Sequence, residues 1–226
     1  MIPLRDVIPS RTTPFVTVGL IALNALVFFY QLSLGEFVDA FVQSFGLVPA
    51  AFSWVTVLTS MFLHGGFFHF AGNRLYLWIF GDNVEDRMGH GRFLAFYLLC
   101  GAAAALAQTF SSPDSLIPMV GASGAIAGVM GAYFVLYPRS RIVTLLPLLI
   151  FWQIIEVPAI FFLGFWFLMQ LLSGVGSIAA AAAGETGGIA FWAHIAGFAA
   201  GLAGVLVFRR PERQRVEWWD GGKPVA

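Results

Sequence analysis

Residues 115–138 read SLIPMVGASGAIAGVMGAYFVLYP, a run without a single charged side chain and with glycines at 121, 124, 128 and 131. A helix needs about 20 apolar residues to cross the hydrocarbon core of a bilayer, and this run is long enough. Four more uncharged runs of similar length follow outward from it: 12–35, 93–113, 157–184 and 186–208. Of 226 residues, 59% are hydrophobic and 11% are charged. A water-facing domain carries about 25% charge, so this chain cannot cover a soluble surface. The formal net charge of zero and the lack of a basic stripe argue against nucleic-acid binding. Cys100, the one cysteine, forms no internal disulfide.

The expected fold class is all-α: a polytopic membrane bundle of six transmembrane helices. Spans are placed near 15–34, 65–82, 93–111, 117–137, 155–173 and 188–208, with residues 142–154 as an interfacial approach to the fifth. The domain reading is a cytoplasmic N-terminal segment 1–14, a six-helix domain 15–208 and a basic cytoplasmic tail 209–226. The first apolar run lacks a small-x-small exit, so it stays as a span.

Lysine and arginine resist translocation, which sets the orientation. Arg5 and Arg11, Arg87 and Arg92, Arg139 and Arg141, and the cluster Arg209, Arg210, Arg213, Arg215 and Lys223 fall in alternate connections, while 35–64, 112–116 and 174–187 carry neither residue type. Both termini are therefore expected in the cytoplasm. Arg74, inside the second span, breaks the pattern and calls for a partner.

Strongly polar side chains inside spans are expensive and mark function or pairing. His69 and Asn73 sit one turn apart on one face of span two, Ser123 lies early in span four and His194 early in span six. With spans starting at 65, 117 and 188, these groups share one depth, roughly 6–12 Å inside the outer ends of their helices. Gly121, Gly124 and Gly128 flank the serine, and Gly197 and Gly201 flank the histidine. Small residues four apart let membrane helices touch backbone to backbone. That approach brings a serine hydroxyl to an imidazole, as a base-activated nucleophile requires. Taken singly, the serine bonds the carbonyl one turn back, the histidine and asparagine join helices, and the glycines pack. Their convergence at one level favours a shared site. His64 reads as a structural loop histidine.

At these residues the chain resembles the rhomboid intramembrane serine proteases: HGGFFHFAGN (64–73) opens span two, GASG (121–124) opens span four and AHIAGFAAG (193–201) lies in span six. The opening MIPLRDVIPSRTTPFVT looks like bacterial members. GASG is not the G-x-S-x-G elbow of soluble hydrolases, because residue 125 is alanine and no strand precedes it. The resemblance implies Ser123 as nucleophile and His194 as general base, with His69, Asn73 and the Ser123 N–H stabilising the oxyanion. No acid lies in spans four or six, so a Ser/His dyad is implied, without the usual aspartate. Three positions depart from the family pattern. Ala127 stands where an aromatic ring often packs on the histidine, which leaves His194 held less firmly or by another ring such as Phe191 or Trp192; Trp54-Val55 replaces a Trp-Arg pair; and Arg74 replaces an apolar residue.

By the same resemblance the substrates are single-span membrane proteins cut near the outer face of a plasma membrane, bacterial inner membrane included. Span five acts as a lateral gate and the Gly/Ala-rich stretch 174–188 as a cap. No metal and no cofactor are required; oligomeric state is left open. The apolar loop 35–64 is expected to lie partly in the outer leaflet or to pack on the bundle, and the tail to meet anionic lipid. Two other classes stay in view: a non-catalytic relative that binds membrane clients, and a channel or carrier using His64, His69 and His194.

Overall fold

The computed structural model describes residues 1–148, 151–182 and 190–210. Six helices build the bundle: α1 (Phe15–Ser33), α4 (Phe67–Met88), α5 (His90–Ser111), α6 (Ser123–Leu136), α7 (Ala159–Ala182) and α8 (Phe191–Phe208). Two short helices, α2 (Val38–Phe45) and α3 (Trp54–Thr59), lie in the long connection between α1 and α4. Strands β1 (Ile2–Asp6), β2 (Arg141–Leu148) and β3 (Phe151–Pro158) form a small antiparallel sheet in that order. Among the described residues, α1, α5, α7 and α8 are long and apolar enough to cross a membrane, and α6 is a shorter apolar helix. The architecture is that of an all-α polytopic membrane protein with a sheet at one end.

Helix α1 shows how such a bundle inverts the soluble pattern. Its buried face carries Thr17, Leu20, Asn24, Phe28 and Gln31, while Leu26, Phe29 and Leu32 point outward. Apolar side chains facing lipid lose nothing by exposure, whereas polar ones must be satisfied inside. Asn24 Nδ2 donates to the Leu20 carbonyl (2.8 Å). Gln31 clasps the backbone of His64, accepting from its N–H (3.0 Å) and donating to its carbonyl (3.2 Å). Phe28 stacks on Phe70 of α4, centroids 4.2 Å apart.

Helices α4 and α5 are joined through Gly89 alone, whose φ of 78° is open to glycine at little cost. Helix α6 is the central post, buried along most of its length. It lies against α8 along glycines: a Cβ at Gly197 would collide with the Gly124 carbonyl oxygen, and one at Gly201 with that of Gly128. On the α5 side, a Cβ at Gly124 would stand 2.5 Å from Ala104 Cβ, and one at Gly128 would collide with the buried Cys100. This backbone-on-backbone seam fixes where the first turns of α6 and α8 meet.

At the end that carries the sheet, polar groups are densely cross-linked. The fully buried Glu85 carboxylate accepts from Val16 N (2.9 Å), Thr17 N (2.8 Å) and Thr17 Oγ1 (2.7 Å), capping α1 from a different helix. His90 Nδ1 adds a fourth contact at 2.6 Å. Asp86 receives the N–H groups of Arg11 and Thr12 together with the Thr12 hydroxyl, and Ser10 bonds Asp82. Asp6, ending β1, accepts from Tyr133 (2.7 Å) and Asn83 (2.9 Å). Burial is the main cause that pushes its carboxyl up to about 6.

Several expectations need correction. Residues 142–148 and 151–154, expected as an irregular approach to span five, lie in strands β2 and β3, with Pro147 opposite Trp152, and β2 pairs in turn with β1. The stretch is β-branched and aromatic with apolar residues on both faces, which suits a strand better than an amphipathic coil. Span five accordingly begins at Ala159 rather than near 155, and α7 runs on through 174–182, where a cap was expected. The remainder of that cap, 183–188, and the tail from 211 onward lie outside the described residues. Span four begins at Ser123, not near 117. The segment before it is extended, with Met119 and Leu47 exchanging backbone hydrogen bonds of 2.8 and 3.0 Å.

Candidate active site

A 14-residue helix rises only about 21 Å, well short of a bilayer core, so α6 starts deep inside the bundle. Ser123 is its first residue. The equal depth of the polar groups therefore arises differently from the expectation: α6 and α8 both begin low, with His194 in the first turn of α8. Above them opens a cavity of about 610 Å³, lined among others by His69, Asn73, Tyr76, Ser123, Trp166 and His194.

Ser123 Oγ and His194 Nε2 are 2.8 Å apart, hydrogen-bond distance across the α6–α8 seam. The other ring nitrogen, Nδ1, lies 2.8 Å from Gln170 Oε1 on α7. A proton on Nδ1 donated to that amide oxygen leaves Nε2 as an acceptor for the serine hydroxyl, the tautomer a general base requires. The imidazole also rests against Trp166, centroids 5.9 Å apart and planes tilted by 38°. The ring that substitutes for the missing aromatic at Ala127 is thus Trp166 on α7, not Phe191 or Trp192.

Across the cavity, α4 supplies the other two polar groups. His69 Nδ1 faces the Gly65 N–H at 3.4 Å, which makes Nδ1 the acceptor and leaves the proton on Nε2. That edge of the ring packs on Gly121: a Cβ there would come within 2.6 Å of Cε1 and 2.7 Å of Nε2. Gly121 holds φ at 128°, so both its backbone and its missing side chain admit His69. Gly121 was expected among the helix-packing glycines; it lies outside α6 and packs on an imidazole instead. Asn73 is buried, and its Nδ2 has no hydrogen-bond partner among the described residues, a donor facing the same space. The Ser123 N–H belongs to the first turn of α6, whose amides lack intrahelical acceptors.

The remaining candidates sit outside this constellation. His64 is buried between Phe28, His69 and Phe70, and its backbone is the part held by Gln31. Arg74 finds a partner that the sequence did not disclose: its guanidinium lies 4.9 Å from the centroid of Phe70, a cation–π contact. Among the described residues no three His, Cys, Asp or Glu side chains cluster so as to hold a metal ion. Trp54 and Val55 are exposed at the start of α3.

Sequence reasoning missed Gln170 and Trp166. A signal for Gln170 was present, since an amide within the uncharged run 157–184 is as costly in lipid as the four groups singled out. Nothing in the sequence marked Trp166 among the aromatics of that helix.

Comparison with known proteins accords with this architecture. The Rhomboid domain matches residues 51–211. Rhomboid protease GluP of Bacillus subtilis is 39% identical over 124 residues, 53% of this chain and 24% of that protein. Rhomboid protein 1, mitochondrial, of Saccharomyces cerevisiae is 29% identical over 182 residues, 77% of this chain and 49% of its own length. Putative rhomboid protease YdcA of Bacillus subtilis is 31% identical over 103 residues, 45% of this chain and 51% of that protein. The chain spans about a quarter to a half of the length of these relatives. With the Rhomboid domain extending over most of its six-helix bundle, the chain belongs to the rhomboid family.

Proposed function

We propose that this protein is an intramembrane serine endopeptidase that cuts transmembrane segments of other membrane proteins near the outer face of a plasma membrane. One observation carries the reading: a serine hydroxyl 2.8 Å from an imidazole nitrogen at the floor of an open cavity, inside a membrane bundle. His194 Nε2 takes the Ser123 proton as Oγ attacks the scissile carbonyl carbon. The carbonyl oxygen becomes an oxyanion facing the Ser123 N–H, Asn73 Nδ2 and His69 Nε2, donors of which each is typically worth about 3–4 kcal/mol. The imidazolium then protonates the leaving amine, the C–N bond breaks and an ester to Ser123 remains. Water, deprotonated by the same nitrogen, attacks that ester and restores the hydroxyl.

The cavity volume suits a few residues of unwound peptide rather than a whole helix. A substrate helix must therefore open before its carbonyl is reachable, and single-span segments with small, helix-breaking residues are the favoured class. The mechanism uses no metal or cofactor. Orientation with both termini in the cytoplasm rests on the alternation of arginines. A plasma membrane is favoured by the bacterial relatives, although the yeast relative is named mitochondrial.

The test is cleavage of a panel of single-span substrates by purified protein in liposomes, comparing wild type, Ser123→Ala and His194→Ala. Product formed only by the wild type supports the dyad. Cleavage surviving both substitutions would refute it, and a chain that binds these segments without cutting them would be a client-binding relative.

A further inference from the structure

The dyad has a third member that neither the acid-free spans four and six nor the family pattern supplied. We infer that Gln170 is a positioning residue for the general base: its amide oxygen holds the proton of His194 on Nδ1, while Trp166, one turn earlier on α7, holds the ring's plane. The inference rests on the Ser123/His194 reading of the site.

The geometry is specific. Nδ1 and Nε2 sit on opposite sides of the imidazole, and each has one partner at 2.8 Å: Gln170 Oε1 behind, Ser123 Oγ in front. A histidine with both nitrogens unassigned is split between two tautomers, and only the form protonated at Nδ1 can accept from serine. Gln170 selects that form. Residues 166 and 170 are i, i+4 on α7 and therefore share a face, so one face of one helix sets both the tautomer and the tilt of the ring.

An amide also suits the medium. The soluble solution to the same problem is a buried aspartate, which stabilises the imidazolium but must itself be kept charged away from water. In a bundle surrounded by lipid a neutral acceptor carries no such desolvation cost. The chain thus gains orientation without the electrostatic gain, which predicts a base that is aimed by geometry alone.

The test uses the full-length protein in liposomes with two readouts: cleavage of a single-span substrate, and the rate at which a small fluorophosphonate labels Ser123, measured against pH. Labelling reports nucleophile activation without requiring a substrate helix to enter. Gln170→Leu keeps the side chain's bulk and removes the acceptor; its labelling rate and kcat should fall by about 10²-fold with KM nearly unchanged, the usual size for a misaimed catalytic group. Gln170→Glu keeps an acceptor and adds charge; it should retain labelling, and the acidic limb of its pH profile should move up by about 1 unit or more as the carboxylate favours the imidazolium. Wild-type labelling and kcat in a folded Gln170→Leu protein overturn the inference. An unshifted acidic limb in Gln170→Glu overturns it as well, and that variant serves if the leucine variant does not fold. Ser123→Ala, run alongside, separates the two levels: if it still cleaves, the dyad itself is wrong, whereas its silence together with an unaffected Gln170→Leu removes only the role of the amide.

Discussion

The two ends of the bundle use polar residues in opposite ways. At the sheet end the fully buried Glu85 holds three donors from α1 and one histidine, Asp86 holds the Arg11 and Thr12 donors, and Asp6, Asp82, Asn83, Tyr133 and Ser140 form a connected network. At the other end, Asn73 Nδ2 is buried without a partner, and Ser123, His69 and His194 face a cavity. Saturated polar groups hold a structure together; an unsaturated one on a cavity, such as Asn73, can meet something that arrives. On the proposed reading, the difference teaches that the bundle separates stability from chemistry along its axis.

The sharpest way to break that contrast is Ser123→Ala. It should lower cleavage by about 10⁴-fold or more while leaving the thermal midpoint in detergent within a few degrees, because the hydroxyl's bond to His194 is a small part of an α6–α8 contact made mainly by glycine backbone. A large loss of stability would place Ser123 in the structural class instead. Asn73→Ala should cost about 10²–10³-fold in kcat, the usual value of one oxyanion donor, again with little change in melting. Wild-type kcat in that variant would remove Asn73 from the machinery.

Glu85→Ala should do the reverse. It leaves the Val16 and Thr17 donors without their acceptor, a loss of about 3 kcal/mol, or roughly 6–12 °C for a chain of this size. Cleavage measured well below the new midpoint should stay near wild type. If activity fell as far as with Asn73→Ala, the two ends would be coupled rather than separate.

The smallest effect is a pH dependence. Asp6 has its folded carboxyl raised to about 6 from 3.8, so its contribution to stability is complete below the unfolded value and is lost as pH rises through about 6. The midpoint of wild type should therefore show a decline between about pH 4 and 6.5 that Asp6→Asn lacks, read as the difference between the two melting curves.

The helices and the pair at their seam were legible in the sequence because each rests on a local signal: charge-free runs for the spans, and glycines at 124, 128, 197 and 201 for the close approach of α6 and α8. What stayed hidden depends on partners far along the chain. The β1 strand reads as an ordinary tail until residues 142–145 pair with it. The start of α6 was placed six residues too early because 117–122 is apolar whether helical or extended; the exchange with Leu47 decides it. Gln170 was passed over because it sits on α7, a helix without a familiar motif, and Arg74 seemed partnerless because a ring face leaves no charge pattern to read.

The inward stripe of Thr17, Asn24 and Gln31 on α1 has a consequence for biogenesis. Thr17 and Gln31 find their partners in Glu85 and His64, residues that follow α1 in the chain and belong to α4 or its approach. Before those partners are in place, the Thr17 hydroxyl and Gln31 amide lack the acceptors and donors that satisfy them in the folded bundle. The stripe therefore ties the docking of α1 to the presence of α4, so an order of assembly is written into the hydrogen bonds themselves.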